Sequence, residues 1–188
     1  MMSTAIRTFN LATGEIEVLR TWEYSLPYEM FLTDGDICFS DSDLPRWGLY
    51  SMDGESGQIE VVFEGVSIGR LWWDGENIYG LGDSKLLKID RSTGDLVTLA
   101  ENVSAYYVDD TYIYVIPKEG KYFLRSSKQD IRFEKFELSF QPAATMVADG
   151  ETLYLVNGEQ SLERYQVIRL AGRRGNSLSH LRKCCTVS

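Results

Sequence analysis

The feature that most limits what this chain can fold into is a repeat of about 40 residues. Four segments share a turn followed by an apolar strand: Asp34-Gly35-Asp36-Ile37, Asp74-Gly75-Glu76-Asn77-Ile78, Asp109-Asp110-Thr111-Tyr112-Ile113 and Asp149-Gly150-Glu151-Thr152-Leu153. An Asp-Gly pair between apolar runs marks a tight hairpin, because glycine reaches positive φ without steric cost. A second element recurs with its own phase. Residues 6–10 lead through Thr13-Gly14 into Ile16 and Val18, residues 49–53 through Ser56-Gly57 into Ile59 and Val61, and residues 86–90 through Thr93-Gly94 into Leu96 and Val97. Each unit therefore reads as two hairpins, or four strands a to d. The clearest copy predicts strands at 68–73, 77–81, 85–90 and 95–100. Helical periodicity is absent, and turn residues interrupt the chain too often for helices.

A four-stranded sheet has two faces and cannot bury both alone, so each unit needs neighbours. Radial repetition is the common solution, which makes the expected fold all-β, a β-propeller-like array of about four four-stranded antiparallel blades. A sandwich or an open stack of sheets is the competing architecture. The units divide the chain into a partial blade at 1–20, blades at 24–64, 65–101 and 102–140, a partial blade at 141–170, and a basic tail at 171–188 that is expected to be disordered. The first partial blade supplies strands c and d. The last has a, b and c at 146–148, 152–156 and 165–170. Either the hairpin 6–18 pairs with 165–170 and closes four blades by a clasp, or the chain is part of a larger ring, or two chains complete one.

Ile37-Cys38-Phe39-Ser40-Asp41, followed by Gly48-Leu49-Tyr50-Ser51-Met52-Asp53-Gly54, is similar to the YWTD-type propeller blades of low-density-lipoprotein-receptor relatives. The later units resemble bacterial propeller domains of unknown function grouped with these, and TolB-type propellers. The resemblance covers residues 6–170 and is generic to blades, since no unit carries the full YWTD tetrad. It implies a binding scaffold, and a family habit of six blades and an export signal that this sequence does not display.

The formal net charge is −9, and the tail from Ala171 contributes Arg173, Arg174, Arg182 and Lys183, so the repeats are more acidic than the total. Such a surface repels phosphate backbones and argues against nucleic acid as a partner. No apolar run is long enough to span a bilayer, and residues 1–10 lack a signal-peptide pattern, so the expected compartment of the chain as written is the cytoplasm. If the chain is a fragment, the expectation shifts to the cell envelope or secretion. Three cysteines make no disulfide framework, and Cys38, inside an apolar strand pattern, reads as a buried thiol.

Chemistry is sparse. The sole histidine, His180, lies in the tail, and no His/Cys cluster offers a zinc site. Gly80-Leu81-Gly82-Asp83-Ser84-Lys85 opens a strand and is a hairpin turn rather than a phosphate loop. Asp34, Asp36, Asp41 and Asp43 have the oxygens a calcium ion wants, but the blade pattern places them at opposite ends of strand b. The aromatics Trp72, Trp73, Tyr106, Tyr107, Tyr112 and Tyr114 fall on strand positions suited to packing between blades. Cys185-Thr186-Val187-Ser188 loosely fits a prenylation box, with Cys184 beside it for a second acyl chain; the bland alternative is an out-of-register end.

The function expected is a non-catalytic scaffold that binds a protein or peptide and uses no cofactor or metal. Membrane attachment would require a lipidated tail, and a homo-oligomer would follow from an incomplete ring. The a–b and c–d turns share one rim and read as tight. The b–c and d–a connections share the other and read as longer, and function tends to sit on such loops. Arg46, Trp47, Asp83, Lys118, Glu159 and Arg164 lie on or beside them. The alternative is a carbohydrate-active hydrolase or lyase with carboxylates at the ring mouth, which needs two convergent acids, one with a raised pKa.

Overall fold

The turns come first, because they fix the register of the strands between them. Asn10, Asp53 and Asp90 open three turns of one design. Each donates its backbone N–H to the carbonyl five residues on (Glu15, Gln58 and Asp95, all 2.9 Å) and accepts from the N–H of Gly14, Gly57 or Gly94 at 2.8–3.0 Å. Its side-chain oxygen takes two more backbone N–H groups: Ala12 and Thr13 on Asn10, Glu55 and Ser56 on Asp53, Ser92 and Thr93 on Asp90. The three glycines have φ of +77°, +68° and +73°, where an L side chain is strained. The a–b turns work in a similar way, with Asp74 accepting from the N–H groups of Glu76 and Asn77, and Asp109 from those of Thr111 and Tyr112.

Between these turns the chain is strand throughout. The computed structural model describes residues 3–23, 27, 29–41, 47–149, 152–157, 165–169 and 182–186, and no helix occurs among them. β1 (Ser3–Phe9) and β2 (Ile16–Glu23) form a two-stranded hairpin. Four four-stranded sheets follow, each a simple meander. The first holds β3 (Met30–Thr33), β4 (Asp36–Asp41), β5 (Gly48–Asp53) and β6 (Ile59–Glu64). The second holds β7 (Gly69–Trp73), β8 (Asn77–Gly82), β9 (Lys85–Asp90) and β10 (Leu96–Ala100). The third holds β11 (Val103–Val108), β12 (Tyr112–Pro117), β13 (Tyr122–Ser127) and β14 (Glu134–Glu137). The fourth holds β15 (Pro142–Asp149), β16 (Thr152–Asn157), β17 (Tyr165–Arg169) and β18 (Arg182–Thr186). The strands expected at 68–100 differ from β7–β10 by one residue at three ends.

The chain divides into two compact units, Met1–Thr98 and Leu99–Ser188. In the first, the β1–β2 hairpin packs on the first sheet: Ile6 and Trp22 meet Phe39, Tyr50 and Met52, and the Trp22 ring stands edge-on to Phe39 at 5.8 Å. The other face of the first sheet, with Cys38 and Leu49, packs against Ile68, Ile78, Leu87 and Ile89 of the second. Glu29 ties the same pair of sheets, its Oε2 accepting the Leu71 N–H at 2.6 Å. In the second unit, Tyr114, Ile116 and Phe123 of the third sheet pack against Leu153 and Leu155 of the fourth. Strands such as β4 and β5 are consequently buried on both faces, while β10 exposes Val97 and Thr98 and half-buries the rest.

Two expectations are corrected here. The hairpin 6–18 does not pair with 165–170: β17 pairs with β18, in register Ile168↔Lys183 and Arg169↔Arg182, and the hairpin packs beside the first sheet. The clasp fails because the tail itself supplies the fourth strand. The tail is therefore not disordered throughout, since Arg182–Thr186 is strand. The rest of the tail, His180 included, lies outside the described residues.

Candidate functional site

The rim bearing the b–c and d–a connections is built from the ends of b and c strands. At the end of β4, Asp41 lies opposite Gly48, the first residue of β5. A Cβ on Gly48 would sit 2.2 Å from the Phe63 carbonyl oxygen, so only glycine lets β5 and β6 come this close. Trp47 precedes that glycine. Its carbonyl accepts the Gly65 N–H at 2.8 Å, which joins a b–c loop to a d–a connection, and 57% of the residue is exposed. The sequence left open whether Trp47 packs between blades, and the structure leaves more than half of it exposed.

The other residues assigned to this rim fare differently. Lys118 is exposed at the end of β12, its N–H donating to the Asn102 carbonyl at 2.7 Å, again a b–c connection held to a d–a one. Asp83 is exposed but sits on a two-residue turn with Ser84, both at positive φ (50° and 62°), the primed geometry that suits a twisted hairpin. Connection length therefore does not separate the rims as expected: this b–c turn is tight, whereas the c–d connection at 128–133 takes six residues. Trp47 and Asp83 belong to the first unit and Lys118 to the second. Arg46, Glu159 and Arg164 lie outside the described residues, as do the side chains of Cys184 and Cys185.

On the opposite rim the structure shows a feature the sequence did not reveal. Arg91, first in its c–d turn, reaches across to the first sheet and pairs with Asp36, which also accepts the Ser51 hydroxyl at 3.2 Å. Its guanidinium lies 5.8 Å from the centroid of the Trp73 ring. A groove of about 620 Å³ opens around this pair, with Asp34, Glu60 and Glu76 on its walls. The partners Arg91 and Asp36 are 55 residues apart, and no local pattern announces their meeting.

Among the described residues neither rim brings together an acid–base pair. The carboxyls with displaced pKa values, Asp53 and Asp90, are both held below the usual range, chiefly by the Ser56 and Ser92 hydroxyls and then by backbone N–H groups. A general acid needs the opposite shift. Asp36 and Asp41 stand at opposite ends of β4, so the four-aspartate cation reading has no common centre. No group of three His, Cys, Asp or Glu side chains with metal-binding geometry occurs among the described residues. No helix there is long and apolar enough to cross a membrane.

With the sheets and their packing established, solved structures can be compared. The N-terminal domain of Nup159 matches with a TM-score of 0.65 at 16% identity, over 86% of this chain and 49% of that one. The sheets are propeller blades. An S. cerevisiae structure of Dbp5 bound to Nup159, Gle1, IP6 and ADP gives 0.64 at 17% identity, covering 84% of this chain and 48% of that chain. A nidogen/laminin complex gives 0.62 at 17%, covering 89% and 68%. At these identities the likeness is one of fold alone, and the chain spans about half the length of the Nup159 domain. No family model and no curated protein matches the sequence.

Proposed function

We propose that this chain is a non-catalytic propeller scaffold that binds a protein or peptide through the rim carrying Trp47. The observation that carries the reading is that one large aromatic, at the junction of a b–c loop and a d–a connection, is exposed while the ring of Phe39 in the strand before it is fully buried. Tryptophan and arginine are the side chains most enriched at interface hot spots. Trp47 is the anchor and Arg46 its neighbour in sequence, while Asp83, Lys118, Glu159 and Arg164 are further candidates, each on or beside a b–c connection of its own unit. The YWTD- and TolB-like character of the units supports a binding role. So does the company of the structural neighbours, since Nup159 is seen with Dbp5 and nidogen with laminin.

The test is retention of a protein from cell extract on immobilised wild-type chain and on variants, with melting curves alongside. Trp47→Ala and Arg46→Ala should lose the retained species, with a cost of about 2 kcal/mol or more for the tryptophan. Glu15→Ala and Glu76→Ala, on the other rim, should retain it. Retention by Trp47→Ala, or its loss in Glu76→Ala alone, rejects this rim.

A further inference from the structure

The hairpin β1–β2 is a repeat of the c–d hairpins of the first and second sheets, and the match is residue by residue. The turn openers Asn10, Asp53 and Asp90 align, and so do their glycines. The β-bulge between Ile6 and Arg7 falls at the same place as that between Leu49 and Tyr50. Phe9 therefore stands where Met52 and Ile89 stand, and Ile16 where Ile59 and Leu96 stand. Met52 and Ile89 are fully buried, Met52 against the hairpin and Ile89 against the first sheet. In each case the cover is the face of the sheet that comes before. Phe9 and Ile16 are 58% and 64% exposed. Val18 adds nothing to the case, because its counterpart Val61 is exposed too.

The fourth sheet shows the reverse. Val147 pairs with Tyr154, as Phe31 pairs with Cys38 and Tyr107 with Tyr114. In the first and third sheets these pairs meet the sheet that comes next. Val147 is 49% exposed. Among the described residues, sheet faces of opposite sense thus carry exposed apolar side chains, of the kind that pack on each other elsewhere in the same molecule.

We propose that the Phe9/Ile16 face docks on the Val147/Tyr154 face of a second copy of the chain. Arg7 is the detail that favours a second copy over a permanent core. The later hairpins place Tyr50 and Leu87 at that position, both buried, whereas Arg7 is exposed. Arginine is depleted in cores and enriched at protein–protein interfaces, and the opposing Tyr154 offers an aromatic surface to a cation. The contact is heterologous, so two copies can each give one face and receive the other. Both copies are acidic, so added salt should strengthen the association by screening their repulsion.

The experiment is the mass of the purified chain by light scattering across a concentration series at low and moderate salt. Wild type should rise from 21.4 kDa towards twice that value, and further with salt. Phe9→Glu/Ile16→Lys and, separately, Val147→Lys should each remain at the mass of one chain, while Val97→Lys, on β10, should behave as wild type. Circular dichroism confirms that each variant is folded. Mixing the two deficient variants should restore association, because the mixed pair keeps one intact contact. A wild type that stays at one chain mass overturns the proposal, as does a dimer that survives both substitutions, or a mixture that does not associate. If the hairpin variant does not fold, Val147→Lys alone decides. No binding partner enters the measurement, so its outcome is independent of the rim assignment.

Discussion

Asp53 and Asp90 each hold two backbone N–H groups and a hydroxyl of their own turn. Their carboxyls titrate below the ordinary 3.8, so their contribution to stability is complete above that value and fades as pH falls through the folded-state values. Asp90→Ala should lower the melting temperature at neutral pH and flatten the loss of stability on acidification, which a melting series from neutral to acidic pH would show. Tyrosine makes a less visible contribution. Tyr79 donates its hydroxyl to Asp74 at 3.0 Å, and burial, followed by that bond, pushes its pKa well above the ordinary range. Tyr114 stands in the same relation to Asp109, and both should resist ionisation in an alkaline spectrophotometric titration. Tyr79→Phe should cost about 1–2 kcal/mol by urea denaturation. The aspartates were legible in the sequence as turn residues. Their tyrosine partners five positions on were not, because a strand tyrosine reads equally well as packing.

Sheet elements were legible wherever turn chemistry and alternation coincided. β7–β10 have both: Asp-Gly at one turn, Thr-Gly at another and apolar residues between. β18 has neither, its sequence Arg182-Lys183-Cys184-Cys185-Thr186 carrying no alternation, and twelve residues separate it from β17. It is recognisable only by its antiparallel pairing with β17. Loop length did not distinguish the two rims, since Asp83-Ser84 adopts a tight primed turn without glycine while the c–d connection at 128–133 takes six residues. The Arg91–Asp36 pair was beyond reach because it depends on how two sheets pack. Glycine at position 48 illustrates an element-level constraint that the sequence does not flag. Gly48→Ala must displace the Phe63 carbonyl or β5 itself, and a loss of about 1–3 kcal/mol is expected in chemical denaturation. Gly35→Ala meets no such clash and should show backbone strain alone.

At the scale of the whole molecule the interior faces of the blades hold the fold together, and the proposed binding falls to the rim that carries Trp47. The interior is supplied by residues such as Phe39, Ile78, Tyr114 and Leu153, whereas Trp47 is mostly exposed. This separation is the reason Trp47→Ala should leave the melting temperature within a degree or two of wild type; a fall of many degrees would make Trp47 a core residue. The most direct test of the scaffold reading is backbone hydrogen exchange of the wild-type chain, alone and saturated with the protein it retains. The account predicts new protection around Trp47–Gly48 and Gly65, with the turn at 91–94 and the walls at Asp34 and Glu76 unchanged. Protection confined to 91–94, Asp34 and Glu76, with none at Trp47, would contradict it.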